Sequence, residues 1–297
     1  MLFRSEIAVA TSVGVAYLRA LTAGSAGLDV QAALDALEFR FAVNADQFLS
    51  VAKLRAARRV WARVAELSDV ASAARGQRQH AVTSAAMMTR RDPWVNMLRT
   101  TIACFAAAVG GAEAITVAPF DAALGLPDEF ARRIARNTSA VLHDESSLSR
   151  VVDPAGGSRY VESLTDRLAS VAWDKFTALE RAGGALAALD SGAITELLNA
   201  SHEARSADIA HRRAPLTGVS EYAFVGEQPV TREPAPAAPS GGPLSVHRYG
   251  EPFEALRDRA DAAPERPRVF LAALGPLAAH SARVGFATNL FAAGGIE

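Results

Sequence analysis

Cysteine is nearly absent from this sequence. Cys104 stands alone, inside the apolar run TIACFAAAV. One thiol excludes an internal disulfide and a thiolate metal cluster, and its surroundings read as core. Long apolar runs are missing too. Candidates such as Ile102–Val109 fall far short of the roughly 18–20 residues that span a bilayer. The opening MLFRSEIAVATSVGVAYLRAL carries Arg4 and Glu6 and has no cleavage-like site, so a secretory signal is not expected and a cytoplasmic location is. Net charge is also lacking: 31 basic and 32 acidic residues leave −1. That balance offers no electrostatic footprint for nucleic acid or an anionic membrane.

Chemical signatures are equally sparse. There is no G-x-G-x-x-G, no G-x-x-x-x-G-K-[ST] and no G-x-S-x-G. The six histidines, His80, His143, His202, His211, His247 and His280, show no H-x-x-x-H or H-E-x-x-H spacing, so no metal site is expected from them.

What is present is an alternation of apolar periods in a chain of 297 residues, 50% hydrophobic and 21% charged. Glu6–Leu21 has helical spacing, Ala36–Val43 alternates as a half-buried strand does, and Asp46–Glu66 is a long amphipathic helix. A short strand is expected near His80–Thr83. A helix from Pro93 to Val109 is stopped by Gly110-Gly111. Ala114–Val117 is a strand, Pro127–Asp144 a helix, and Asp153–Ser158 a turn. Tyr160–Arg181 is a helix closed by Gly183-Gly184, and two short helices precede Pro215. Such βα units argue for a parallel sheet. A closed (β/α) barrel needs eight strands and about 250 residues; three or four units fit here, so residues 1–225 read as part of a barrel. Residues 226–250 hold five prolines and read as a linker. In 251–297, a helix over Glu251–Ala263, a buried-type strand over Arg268–Leu274 and a helix over Leu277–Ala293 begin a second unit.

Three features stand out as candidates for function. His80 lies on a strand beside Thr83 and Ser84; it reads either as a residue aimed at a barrel active site or as a hydrogen-bonded structural histidine. Arg99 sits in an apolar helix, where its guanidinium needs a phosphate, a carboxylate or an internal acid. Asp144-Glu145 ends a helix, where acids oppose the dipole, which suggests a specific partner or a solvated end.

Several separated stretches together resemble the methylmalonyl-CoA mutase family. They are AKLRAARRVWARVAE (52–66), HAVTS (80–84), LRTT (98–101), ARRIARNTSAVLHDES (131–146), DPAGGSRYVESLT (153–165) and TGVSE (217–221). Order and spacing agree over roughly residues 5–225. The resemblance implies the C-terminal part of a (β/α)8 barrel that holds an acyl-CoA along its axis. A linker then leads to the first βα unit of a flavodoxin-like cobalamin-binding domain. It implies isomerisation of methylmalonyl-CoA and succinyl-CoA by a radical drawn from adenosylcobalamin, the cofactor carrying the hard chemistry. His80, Arg99 and Glu145 then occupy ancestral substrate-binding positions. The family segment with the substrate-stacking aromatic and the histidine over the corrin would precede Met1.

The family's cobalamin loop, G-x-D-x-H-x-x-G, aligns with Gly275-Pro-Leu-Ala-Ala-His280-Ser-Ala. Its aspartate falls on Leu277, its histidine on Ala279 and its last glycine on Ala282. Leucine and alanine can neither ligate cobalt nor orient a ligating histidine. In H-x-Q-T-S-G, Val82 and Ala85 replace the glutamine and the glycine, which removes hydrogen-bonding capacity from the barrel. Both changes fit the small subunit of the heterodimeric bacterial enzymes, a chain that binds no cobalamin, carries no catalytic residue and supports a large catalytic subunit. Two other readings are a catalytic acyl-CoA mutase barrel whose cobalamin domain is on another chain, and a chaperone-like module, for which no nucleotide loop is present.

Overall fold

The computed structural model describes residues 2–23, 27–236, 244 and 246–297. A three-stranded parallel sheet forms its centre: β1 (Glu38–Val43), β2 (Arg78–Thr83) and β3 (Ala114–Thr116), in the order β1-β2-β3. Arg40 pairs with His80, and His80 with Ala114. The helices are α1 (Leu2–Thr22), α2 (Val30–Asp35), α3 (Gln47–Leu67), α4 (Val95–Val109), α5 (Glu129–Ala140), α6 (Arg159–Arg181), α7 (Gly184–Asp190), α8 (Ala193–Ala210), α9 (Glu251–Asp261) and α10 (Leu277–Ala293). None of them is long and apolar enough to cross a membrane.

Strand alternation decides what each sheet face does. Phe39, Phe41 and Val43 of β1, with Gln79, Ala81 and Thr83 of β2, are buried. They face α3 and α4, the two crossover helices, and Phe39 meets Trp61 of α3 edge-on at 4.7 Å. Such crossovers join parallel strands and cover the sheet. α3 begins at Asp46, whose carboxylate accepts the Leu49 N–H at 3.3 Å, an N-cap that satisfies an otherwise orphaned donor. The opposite face, with Glu38, Arg40, Ala42, Arg78, His80, Val82 and Thr116, is covered by no helix among the described residues and is polar and solvent-accessible.

The outer edge of β1 is closed by side chains. Val43 C=O accepts from Ser84 N–H across the ladder at 2.7 Å, so the groups of the adjacent Ala42 point away from β2. The Ala42 N–H donates to Glu6 Oε1 at 2.8 Å, and its carbonyl accepts from Lys53 Nζ. Lys53 is fully buried, 2.7 Å from Glu6 Oε2 and under the Phe3 ring. A buried ammonium persists only with such partners.

Most expected elements are present, with four differences. Arg268–Leu274 forms no strand: it is extended, with Phe270 92% exposed. Its backbone bonds near it are Val269 N–H to Glu297 C=O at 2.7 Å and Glu297 N–H to Pro267 C=O at 2.9 Å. An apolar strand needs a ladder on both edges and cover on both faces, and among the described residues only Glu297 makes these backbone bonds beside it. α8, expected to be short, has 18 residues. α2 was not expected, because six residues capped by Asp29 are too few to show a period. After α5 the chain widens into one π-helical turn, Val141–Glu145.

The described part of the 226–250 segment is strapped to the body. Leu126 N–H donates to Glu233 C=O at 2.7 Å, and Tyr249 N–H to Ala86 C=O at 2.8 Å. Residues 237–243 and 245 of that expected linker lie outside the described residues. α9 then docks on the loop after β2 through ion pairs of Arg90 with Glu254 and Asp258 and of Arg91 with Asp258 and Asp261, and on the 226–250 segment through Arg257 with Glu227. Glu254 is 0% and Arg257 1% exposed.

Candidate functional site

Open α/β sheets and barrels place ligands beyond the carboxyl ends of their strands. A cavity of about 360 Å3 lies there. Asn44 and Asp46, which follow β1, form one wall, Arg99 of α4 and Arg205 of α8 two others, and Thr217 and Tyr249 close it. Local bonds fix the first wall: Asn44 Oδ1 accepts the Asp46 N–H at 2.9 Å, and Ser50 Oγ donates to Asn44 C=O at 3.2 Å. The Arg205 guanidinium lies 5.2 Å from the Tyr249 ring centroid, a cation–π contact.

Arg99 is the most constrained group in this wall. It donates to Thr89 Oγ1 at 2.8 Å, to Asn96 Oδ1 at 2.6 Å and to Thr217 C=O at 2.6 Å. All three acceptors are neutral, so the expected phosphate, carboxylate or internal acid is replaced by hydroxyl, amide and carbonyl oxygens. Burial pulls its pKa below the ordinary arginine value, while Asp92 and Glu254 oppose that pull from a distance. Geometrically, Arg99 fastens the 217 segment to α4.

His80 and Glu145 are elsewhere. His80 stands on the open face of the sheet, mid-strand, and bridges its neighbours: Nε2 lies 2.8 Å from Thr116 Oγ1 and Nδ1 3.6 Å from Glu38 Oε1. Glu145 is exposed on the π-turn, and its side chain makes no hydrogen bond or ion pair with the described residues. Among the described residues no contact joins any two of the three. No group of three or more His, Cys, Asp or Glu there could hold a metal ion. Cys104 is fully buried, and burial raises its pKa, so it behaves as packing.

The 275–282 segment folds as helix. α10 starts at Leu277, directly after Gly275-Pro276, and places His280 in its first turn. Among the described residues the buried His280 Nδ1 has no partner, and no carboxylate pairs with the ring. The helix carries Leu277 and Ala279 in its first turn, side chains without a metal-binding atom. α10 packs on the 212–222 segment: Tyr222 N–H donates to Asn289 Oδ1 at 2.9 Å, and Arg212 lies over Phe286.

Reasoning from sequence missed the buried charges of α9. Glu254 and Arg257 sit in an otherwise charged helix whose pattern looks solvated, and nothing local marks them as buried.

Fold and cavity together define an α/β protein with sequential βα units and a ligand-sized space at the strand ends. Residues 3–240 match the model of the family described as methylmalonyl-CoA mutase, and the chain belongs to that family. It is similar to the methylmalonyl-CoA mutase small subunit of Streptomyces virginiae, with 62% identity across 98% of this chain and 47% of the relative. The small subunit of Propionibacterium freudenreichii subsp. shermanii is 46% identical across 99% of this chain and 46% of its own length. A methylmalonyl-CoA mutase of Rhizobium meliloti is 36% identical across 76% of this chain and 32% of its own. The chain therefore spans about half the length of the small subunits it matches.

Proposed function

We propose that this chain is the C-terminal barrel portion, and the start of the following domain, of a methylmalonyl-CoA mutase small subunit. In this reading residues 1–225 supply βα units of a (β/α)8 barrel whose axis runs along the open sheet face. Residues 226–250 connect them to the first βα unit, 251–297, of a degenerate flavodoxin-like domain. The whole protein is cytoplasmic and pairs with a large catalytic subunit. The pair interconverts methylmalonyl-CoA and succinyl-CoA with adenosylcobalamin bound by the partner. His80, Arg99 and Glu145 are ancestral substrate-side positions, now engaged in or released from structural contacts.

One observation carries the reading. Similarity to the Streptomyces and Propionibacterium proteins named as small subunits runs through 98–99% of the chain at 46–62% identity, whereas the Rhizobium enzyme matches 76% of it at 36%. The polar, helix-free sheet face and the α10 start at Leu277 support it. A test titrates adenosylcobalamin into the purified full-length subunit by absorbance and looks for a large subunit that co-purifies. The expected result is no spectral change and a heterodimer. Stoichiometric binding with a histidine-ligated cobalt, or an active homodimer, would favour a catalytic barrel instead.

A further inference from the structure

On the other side of the molecule, at the amino ends of the strands, a cleft of about 530 Å3 opens between α3, the loop before β2 and α6. Three buried polar atoms in its lining have no partner among the described residues: Arg55 Nε, Gln77 Nε2 and Thr165 Oγ1. Gln77 is 4% and Thr165 1% exposed. The direction of the Gln77 amide is fixed by a relay. Arg58, a donor only, gives a hydrogen bond to Gln79 Oε1 at 2.7 Å. Gln79 Nε2 must then donate, and does so to Leu54 C=O at 2.9 Å and to Gln77 Oε1 at 2.7 Å. With its oxygen used, Gln77 presents its NH2 to the cleft. Arg55 spends both terminal nitrogens on Asp153 and Glu162 and presents Nε. Donors from α3 and the loop, and a hydroxyl from α6, thus belong to the lining of one cleft. The cleft is lined by four arginines, Arg55, Arg58, Arg59 and Arg75, against two carboxylates, both held by Arg55. Buried donors cost free energy until an acceptor meets them.

We propose that this cleft binds a tetrahedral oxyanion, the phosphate group of a small phosphomonoester, with Arg55, Gln77 and Thr165 as its donors. Its volume lies in the range of small-molecule sites, so an organic body can accompany the phosphate. Arg59, half exposed and paired with Asp166, and Arg75, 3.4 Å from Glu66, add two further cations to the lining. The site does not depend on the subunit assignment, since none of its residues lies at the strand-end cavity or in the 275–282 segment.

The test measures inorganic phosphate binding to the full-length chain, in its native assembly, by calorimetry. Thermal unfolding is followed in parallel in phosphate, acetate and chloride at equal ionic strength. Saturable binding of one phosphate per chain is expected, weakened at least about tenfold in Gln77→Leu and in Thr165→Val, each of which loses one hydrogen bond to a charged group. Without phosphate Thr165→Val should unfold at the wild-type temperature or above it, because only an unpartnered buried polar atom has been removed, whereas Gln77→Leu also strips an acceptor from Gln79 Nε2 and should unfold below it. Absence of saturable binding, equal stabilisation by acetate or chloride, or unchanged affinity in both variants overturns the proposal.

Discussion

Replacing Glu254 by glutamine tests whether α9 is held to the body by charge. The carboxylate is fully buried. It accepts from the Arg90 N–H at 2.7 Å, Arg90 Nε at 3.1 Å, and Arg248 Nη1 and Nη2 at 3.1 and 2.8 Å. Glutamine keeps the shape, removes the charge, and turns one acceptor into a donor facing a guanidinium. Breaking a buried pair from one side costs roughly 3–5 kcal/mol. Here the stranded cations are not alone: Arg90 retains Asp258 at 2.6 Å, and Arg248 retains Glu251 at 3.6 Å. The loss should therefore sit at the low end, about 3 kcal/mol. Urea unfolding of the full-length chain measures it, and amide hydrogen exchange locates it in residues 251–261 and 86–92. Glu251→Gln, at a half-exposed position, is the control and should cost about 0.5 kcal/mol or less. A Glu254→Gln loss below about 1 kcal/mol, or exchange changes that spare α9, would refute the claim that this contact holds the helix.

Acid should release the same helix. Burial alone would raise the Glu254 pKa, but hydrogen bonds from Arg248 and Arg90 outweigh it and hold it below the ordinary value; Asp258 is held down likewise by Arg90 and Arg91. Folded pKa values below the unfolded ones give stability that is complete above about pH 4–4.5 and is lost as pH falls through the folded values. Exchange protection of α9 should fall over that acid range, and less steeply in Glu254→Gln. Lys53→Met should cost about 2 kcal/mol in urea unfolding, since it strips a donor from Ala42 C=O and a cation from Glu6, itself partly exposed; a neutral result would mean the β1 edge needs no such closure. Gly125→Ala should detach the 231–233 strap, because its Cβ would lie 2.2 Å from Glu233 C=O, and limited proteolysis in that strap should accelerate. The 297-residue segment expressed alone should aggregate, because a parallel sheet exposing one face and the edge beyond β3 invites further pairing; a monodisperse sample with one sharp melt would contradict that.

Local pattern was enough for the strands and long helices. Period-2 burial at Phe39, Phe41 and Val43 and period-3.6 burial along α3 are written in adjacent residues, and so were the proline and glycine boundaries of α4. The family motifs were legible for the same reason: they are short strings at set spacing. The candidate site residues were legible only as positions. That His80 bridges Glu38 and Thr116, that Arg99 is satisfied by neutral oxygens, and that Glu145 stands free depend on residues far away in the chain. The Arg268–Leu274 run shows the opposite failure. Its composition reads as a buried strand, but a strand is a property of its neighbours, and two backbone bonds to Glu297 do not make a ladder.

By itself, then, the sequence determined the βα order, the crossover helices and the family. Those follow from nearest-neighbour periodicity and residue identity. Tertiary structure alone decided that a charged helix would be buried through Glu254 and Arg257, that Glu6 and Lys53 would close a strand edge, and that Arg55, Gln77 and Thr165 would turn unpartnered polar atoms into one cleft. Each of these joins residues tens to more than a hundred positions apart, and the free energy of a charge or donor is set by what folding brings beside it, which no local pattern encodes.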